Sequence, residues 1–220
     1  AASQKENETM KVLVSRCIAS GADILIVPEK VLGTITQRDN PQMAIGIFSQ
    51  QMIDASTIRP EAEDVWVALD RVRDPGNLGT IMRTVDAVGA KGIILIGETT
   101  DPFARETVRA TMGSIFATPI CRMDEASFIA FAKKWPGLVV GTHLEGSVDY
   151  RKPNYAEKPT LLIMGNEQSG MPPSLVDACH QLIRIPQVGR ADSLNLAIAT
   201  GVCLYEVRRD NLSLENGAPA

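Results

Sequence analysis

The sequence predicts an α/β fold in which helices cover both faces of a mainly parallel sheet. Continuous apolar runs such as VWVAL at 65–69 and TLLIM at 160–164 show no polar alternation, which is typical of strands buried on both faces. Segments of helical periodicity separate these runs, and in one of them Ile81, Val85 and Val88 fall on one face. Strands that alternate with helices favour parallel βαβ units, and a hydrophobic content of 45% with 22% charged residues fits an ordinary globular domain.

The elements of the main domain can be placed in chain order. We predict strands at 65–69, 92–96, 138–141, 160–164 and 182–185, and helices at 80–88, 103–112, 127–135, 173–179 and 194–208. Pro75, Gly76 and Asn77 should form a turn that leads into the first of these helices, because glycine and asparagine tolerate tight bends. Ser193 should cap the last helix, since a serine hydroxyl accepts hydrogen bonds from free helix amides.

A polar, proline-marked segment, RPEAED at 59–64, is typical of a linker. It separates a short N-terminal region, 1–58, from a main domain at 65–211, and a flexible tail at 212–220 follows. Within the N-terminal region we predict a helix at 11–20 and short strands at 24–27 and 44–48.

Composition argues against several classes of protein. No apolar run approaches the roughly 20 residues that span a bilayer, so no membrane association is expected, and the polar start at 1–8 is not a signal peptide. The four cysteines lie far apart without a CxxC pair, as expected of reduced thiols in the cytoplasm, and only two histidines are available for a zinc site. Because the net charge is −4, an RNA partner would need a local basic face, and residues 71–122 carry seven Lys and Arg against five acids.

Three loops could carry chemistry, because ligands of parallel sheets bind beyond the carboxyl ends of the strands. They are DRVRDPGNLGTIMR at 70–83, GNEQSG at 165–170 and IPQVGRADSLN at 185–195. Each also has a purely structural interpretation. The first loop could be a helix start with an exposed arginine, the second a turn with a solvated acidic residue, and the third a helix cap. None is a GxGxxG or Walker loop, so a Rossmann or P-loop nucleotide site is unsupported.

Taken together and in this order, the three loops resemble the motifs of the SpoU family, also called the TrmH family, of SPOUT methyltransferases. The matching pieces are NLGTIMRTVDAVGA, LLIMGNEQSGM and IRIPQVGRADSLNLAIATGVCLYE, and the resemblance covers residues 65–209. It implies that the C-terminal part, roughly 138–209, is threaded into a deep trefoil knot, an exception to the usual rule against knotted chains. It also implies S-adenosylmethionine as methyl donor, RNA as substrate and a homodimer.

The same resemblance assigns residues to roles by their positions in the motifs. The implied catalytic residues are Arg83, Asn77, Glu167, Ser193 and Asn195. The implied cofactor-binding residues are Thr142, His143, Gly165, Asn166, Glu167, Ile185, Pro186, Gln187 and Leu194. The chain departs from the family pattern at Gln168, where glycine is frequent, and at Gln187, where methionine is frequent, so the details of cofactor contact are expected to differ.

The implied reaction methylates a ribose 2′-hydroxyl, which is a poor nucleophile until it is activated. An arginine is a poor general base because its guanidinium stays protonated. Our hypothesis is that Arg83 clamps a phosphate and orients the hydroxyl, while that phosphate helps to remove the proton. Residues 40–51 resemble the end of a ribosomal-protein-like RNA-binding domain, which makes 1–58 a partial domain of that kind and favours rRNA over tRNA.

Two alternatives stay open at the level of sequence. A protein with this fold could bind RNA without transferring a methyl group, although the complete set of polar motif residues argues against it. A different α/β nucleotide-binding enzyme would be expected to carry a phosphate loop, which the chain lacks. Binding of S-adenosylmethionine would separate these interpretations.

Overall fold

The computed structural model describes residues 2–37, 43–156 and 158–214. The chain divides into two compact units, Ala1–Ser49 and Gln50–Ala220. Two sequence predictions fall partly outside the described residues: the tail from residue 215 onward, and residues 40–42 of the segment that resembles an RNA-binding domain. No helix within the described ranges is long and apolar enough to cross a membrane.

Within residues 2–37 and 43–49, the part of the first unit that the structure describes, there are two helices, α1 at Ala2–Ala19 and α2 at Glu29–Thr36. The predicted helix at 11–20 is therefore confirmed as the second half of a longer one. The predicted strands at 24–27 and 44–48 are wrong, because neither segment forms a β-ladder. A strand requires a neighbour to accept and donate its backbone hydrogen bonds, and apolar character alone does not supply one.

The second unit is built on one seven-stranded parallel sheet. The strands are β1 Val65–Asp70, β2 Gly92–Ile96, β3 Ile120–Met123, β4 Leu138–Thr142, β5 Val148–Asp149, β6 Thr160–Met164 and β7 Gln181–Arg184. Their order across the sheet is β3-β2-β1-β6-β4-β7-β5, and every pair is parallel. The helices are α3 Pro75–Ala87, α4 Arg105–Ala110, α5 Glu125–Ala132, α6 Pro173–Val176 and α7 Leu196–Val207. The predicted α/β class with a parallel sheet is confirmed.

Alternate residues of the strands bury their side chains on opposite faces, and each face has its own core. In β1, Val67 and Leu69 belong to one core cluster, which α3 and α7 cover. Trp66 and Ala68 belong to the other, which α5 and α6 cover. Because helices cover both faces, the central strands are fully buried, which is why their sequences read as unbroken apolar runs.

Helices α3, α4, α5 and α7 start at other residues than the sequence predicts, and the differences at α3 and α7 affect the site. Helix α3 begins at Pro75 and not at residue 80, because the carboxylate of Asp74 caps it by accepting a hydrogen bond from the Asn77 amide at 2.6 Å. The Pro-Gly-Asn triplet is thus the first helical turn. Helix α7 is capped by Asn195 and not by Ser193, since the Asn195 side chain accepts from the amides of Ala197 and Ile198.

The strand order determines which loops meet. Strands β1, β6, β4 and β7 are neighbours in the sheet, so the loops that follow them share one edge. The three motif loops and the short loop after β4 leave the sheet at this edge. The sequence separates these loops by up to 120 residues, and the parallel sheet brings them together.

Candidate active site

A cleft of about 1060 Å³ opens at the carboxyl ends of β4, β6 and β7, beside the first turns of α3 and α7. Its volume is at the upper end of the roughly 300–1,000 Å³ typical of small-molecule sites. Nearly all residues predicted to form the site line it: Asn77, Thr142, His143, Gly165, Asn166, Glu167, Ile185, Gln187, Ser193, Leu194 and Asn195. The structure therefore brings the three sequence motifs into one cavity.

Arg83 and Pro186 are the two predicted residues that do not line this cleft. Arg83 is exposed on α3, more than one helical turn beyond Asn77. Pro186 is exposed between Ile185 and Gln187, which both line the cleft. Within one chain, the cleft and the Arg83 side chain are thus separate features of the surface.

The side chains of three motif residues form a chain of hydrogen bonds along one wall of the cleft. Because the Asn195 side-chain oxygen accepts the two α7 amides, its Nδ2 faces the other way and donates to Asn77 Oδ1 at 2.9 Å. Asn77 in turn donates from Nδ2 to Glu167 Oε1 at 3.3 Å. The start of α7 therefore fixes the orientation of both amides, and the chain of donors ends on the Glu167 carboxylate.

Asn166 organises the loop that carries Glu167. Its Oδ1 accepts the amides of Gln168 at 3.0 Å and Ser169 at 3.1 Å, while a two-way backbone bridge to Gly170 closes the loop. Its Nδ2 donates to the backbone carbonyl of Arg71 at 2.8 Å and lies 3.5 Å from Glu167 Oε2. The Asn166 side chain thus holds the loop together from inside and attaches it to the backbone at the end of β1.

Gly165 allows the two ends of this loop to approach each other. A Cβ at this position would lie 2.7 Å from the backbone of both Gly170 and Met171, closer than real Cβ contacts come. The next turn uses Gly170 at a φ of 67°, a left-handed conformation that glycine adopts without strain. The glycines of the GNEQSG motif are therefore required by backbone geometry.

Two charged residues that the sequence prediction missed lie directly beneath this loop. Asp70, only 1% exposed, ends β1 and accepts two hydrogen bonds from the Arg71 guanidinium, at 3.0 Å and 2.8 Å. Burial raises the pKa of Asp70, and the hydrogen bond with Arg71 opposes that rise. The signal in the sequence is a carboxylate at the end of an otherwise apolar run, VWVALD.

The cleft is amphipathic, with an apolar floor and a rim of mixed charge. The apolar lining comprises Leu144, Met164, Met171, Ile183, Ile185, Leu194, Leu196 and Ala199. The charged lining comprises Arg73, Asp74, Glu145, Glu167, Arg184 and Asp192. Among residues 8–37, 43–156 and 158–214, no cluster of His, Cys, Asp and Glu has the arrangement of a metal site. Such a cleft suits an organic ligand that has an apolar ring system and charged groups.

Comparison with known proteins relates the chain to one family. The model of the SpoU rRNA methylase family matches residues 64–205. The chain is 30% identical over 191 residues to the 23S rRNA (guanosine(2553)-2′-O)-methyltransferase RlmP of Bacillus subtilis, covering 87% of this chain and 75% of that one. It is also 30% identical to the 23S rRNA (uridine(2479)-2′-O)-methyltransferase of Streptomyces viridochromogenes, covering 86% and 68% of the two chains.

Among solved structures, an rRNA methyltransferase from Sinorhizobium meliloti with AdoMet bound superimposes with a TM-score of 0.90 at 57% identity. The match covers 94% of this chain and 79% of that one. Residues 64–205, which the family model matches, contain the sheet, the cleft and all three motif loops. The chain belongs to the SpoU rRNA methylase family.

Proposed function

We propose that the chain methylates a ribose 2′-hydroxyl of structured ribosomal RNA, with S-adenosylmethionine bound in the cleft. Family membership carries the coarser part of this statement: the chain is an RNA ribose 2′-O-methyltransferase, and S-adenosylmethionine is its methyl donor. The finer assignments concern the residues, the preference for rRNA and the subunit arrangement. The observation that supports them best is the convergence of three sequence motifs on one amphipathic cleft.

The cleft fits the cofactor in size and in chemistry. When bound, S-adenosylmethionine supplies an electrophilic methyl group carried on a sulfonium cation. The apolar floor suits an adenine ring, and the carboxylate of Glu167 offers a negative charge to a cationic ligand. We assign cofactor contacts to residues that line the cleft, namely Thr142, His143, Gly165, Asn166, Glu167, Ile185, Gln187 and Leu194, and also to Pro186, which lies between two lining residues.

Glu167, Ser193 and Asn195 hold the reacting groups in place. The hydrogen-bond chain from α7 restrains the side chains of Asn77 and Glu167, which reduces the reorganisation that the reaction requires. Ser193 is exposed at the mouth of the cleft, one residue before Leu194, where it can reach the RNA.

Arg83 acts from a second subunit. Its side chain is exposed and lies outside the cleft of its own chain, which is the placement expected of a residue that completes the partner's site in a homodimer. There it clamps a phosphate of the RNA and orients the 2′-hydroxyl, and the phosphate accepts the hydroxyl proton.

The remaining parts of the proposal rest on the family resemblance. The segment from 138 to 209 forms the trefoil knot, and a sheet order that inserts β4 between β6 and β7 is compatible with it. Residues 1–58 act as a partial RNA-binding domain, and this domain leads the enzyme to prefer rRNA to tRNA as its substrate. The cytoplasm is the proposed site of action.

The direct test is methyl transfer from labelled S-adenosylmethionine to total RNA, followed by nucleoside analysis. We expect a labelled 2′-O-methyl nucleoside in rRNA. Transfer into tRNA alone would overturn the rRNA preference. Binding of both S-adenosylmethionine and RNA without transfer would favour the alternative, an RNA-binding protein that has lost catalysis.

Subunit complementation tests the role of Arg83. Arg83→Ala and Glu167→Ala should each be inactive, but a mixture that exchanges subunits should recover about a quarter of wild-type activity, because half the dimers carry one intact site. Arg209→Ala is the control for loss of an exposed arginine away from the cleft and should keep full activity, since Arg209 lies beyond the far end of α7 and pairs with Glu206. If Arg83→Ala keeps near-normal turnover and RNA binding, Arg83 has no catalytic role. If the mixture stays inactive, Arg83 does not act across subunits.

A further inference from the structure

The backbone at Arg71 joins the ends of three neighbouring strands. Its amide donates to the Ile96 carbonyl at the end of β2 at 3.0 Å, and its carbonyl accepts from Asn166, just after β6. In the sheet, β2 and β6 lie on opposite sides of β1. An extended residue directs its amide and carbonyl toward the same neighbour, so Arg71 can contact both sides only by leaving the extended conformation.

Arg71 does so by adopting a φ of 44°, in the left-handed region. Such a conformation is unfavourable for a residue with a Cβ, and it persists only where the surroundings impose it. Here the restraint is the side chain: the guanidinium forms two hydrogen bonds with Asp70, and its stem lies close to Gly97, where a Cβ would be 3.4 Å from Arg71 Cγ. The restraint on the side chain is therefore also a restraint on the carbonyl.

The buried carboxylate of Asp70 makes this restraint strong. At 1% exposure it has little access to water, and a charge in that position requires a partner. Separating Arg71 from Asp70 would leave the carboxylate unpaired, so the pair remains closed and the Arg71 carbonyl remains directed at Asn166. From Asn166, hydrogen bonds extend to the Gln168 and Ser169 amides and toward Glu167.

We propose that Asp70 and Arg71 are positioning residues that hold the Asn166–Glu167 loop in its cofactor-binding conformation. The proposal rests on the proposed function, since it assigns this loop to S-adenosylmethionine. Neither residue lines the cleft, so both act through the hydrogen bond between the Arg71 carbonyl and the side-chain amide of Asn166. The Asp70–Arg71 pair and the α7 hydrogen-bond chain then reach Glu167 from opposite sides.

The test removes the restraint while sparing the backbone. Asp70→Asn/Arg71→Gly deletes the guanidinium and the buried charge together, and glycine adopts a φ of 44° without strain, so the fold should be retained. Asp64→Asn/Lys91→Gly is the matched control, because it deletes an ion pair at the opposite end of β1. Asn166→Ala serves as the reference, because it removes the hydrogen bond from the Asn166 side chain to the Arg71 carbonyl directly.

Two measurements decide the outcome besides turnover. Amide exchange at Gln168 and Ser169, in the absence of ligand, should accelerate about tenfold in the double variant, as in Asn166→Ala. The Kd of S-adenosylmethionine should rise about tenfold, with a matching rise in its KM and a smaller change in kcat. Arg71→Lys, which can keep one hydrogen bond to Asp70, should recover part of both effects.

A purely structural role predicts a different pattern, namely a lower Tm with unchanged exchange and unchanged cofactor affinity in the folded chain. That result, with exchange and Kd within twofold of wild type while Asn166→Ala alters both, overturns the proposal. If the double variant does not fold, Arg71→Lys and Asp70→Asn give the same comparison singly. A wild-type chain that binds no S-adenosylmethionine refutes the proposed function instead, and exchange at Gln168 and Ser169 still decides whether the pair holds the loop.

Discussion

Asn195 serves two purposes, and substitutions can separate them. Its side-chain oxygen caps α7 by accepting the amides of Ala197 at 2.9 Å and Ile198 at 3.2 Å. Its Nδ2 donates to Asn77 and so directs the Asn77 amide toward Glu167. Asn195→Ala removes both interactions, whereas Asn195→Asp keeps the acceptor and removes the donor.

The two variants should differ in stability. Loss of an N-cap costs about 1 kcal/mol, and loss of an accessible side-chain hydrogen bond adds about 0.5 kcal/mol or less. A chain of this size loses roughly 2–4 °C in Tm for each kcal/mol, so Asn195→Ala should unfold some 3–6 °C lower. Asn195→Asp should stay within about 0.5 kcal/mol of wild type, because aspartate caps as well as asparagine and its charge suits a helix N-terminus.

In activity, the order of the two variants should reverse, with Asn195→Asp the more impaired. An aspartate at 195 presents only acceptors, so Asn77 must turn its Nδ2 toward it and its Oδ1 toward Glu167. Two oxygens then face each other, and Glu167 loses its orientation. Because a hydrogen bond to a charged group contributes about 1.5–3 kcal/mol, we expect kcat/KM to fall about 10- to 100-fold in Asn195→Asp. The fall in Asn195→Ala should be smaller, since Asn77 loses its restraint but can still donate to Glu167.

Denaturant unfolding followed by circular dichroism, together with steady-state methyl transfer, measures both quantities. Asp124→Ala is the control, since Asp124 caps α5 by accepting the Ser127 amide at 2.7 Å and does not line the cleft. It should lose about as much stability as Asn195→Ala and keep full activity. The reasoning is refuted if Asn195→Asp is as active as wild type, or if it is destabilised as much as Asn195→Ala.

Three further predictions concern packing, thiols and pH. Gly79→Ala should cost about 1–3 kcal/mol of unfolding free energy, because its Cβ would lie 2.5 Å from atoms of α4. Gly201→Ala, whose Cβ would have its nearest contact at 3.8 Å, should be neutral or stabilising. Equal effects of the two substitutions in urea unfolding would contradict this. Cys179 and Cys203 should resist alkylation by iodoacetamide at pH 8 until denaturant is added, because burial raises the pKa of each thiol to about 12. Mass spectrometry of the labelled chain measures this, and alkylation of either cysteine before denaturant is added would contradict it. Because burial raises the pKa of Asp70, folding favours its protonated form. The stability of wild type relative to Asp70→Asn should therefore be greatest below about pH 4, the ordinary pKa of an aspartate, and decline as the pH rises through the raised pKa; a difference that grows with pH in chemical unfolding would be inconsistent with this.

The sequence predicts the central strands well because burial on both faces leaves an uninterrupted apolar run. Strands β2 and β6 have the predicted bounds, and β1 extends one residue further. Strand β3 was missed because it is an edge strand of four residues in which exposed Arg122 interrupts the run. The two residues of β5 leave no pattern at all. Edge strands depend on a neighbour more than on their own composition.

The motif residues of the site could be predicted by position, but their interactions could not. Ser193 and Asn195 are both good capping residues, and only the packing of the chain against Asn77 selects Asn195. Asp70 and Arg71 carry no sequence signal of partnership, because adjacent residues in an extended strand point to opposite faces. The left-handed φ at Arg71, which no propensity scale predicts for arginine, makes their pairing possible.

The direction of the hydrogen bonds around Glu167 limits what this carboxylate can do. Both of its oxygens face amide donors, Asn77 on one side and Asn166 on the other, and neither amide can reverse without losing its own restraint at Asn195 or Arg71. The two oxygens therefore accept hydrogen bonds from opposite sides. A carboxylate held in this way is suited to orient a cationic ligand. In the proposal, the proton of the 2′-hydroxyl passes to an RNA phosphate held by Arg83, while Glu167 keeps its contacts with the side-chain amides of Asn77 and Asn166.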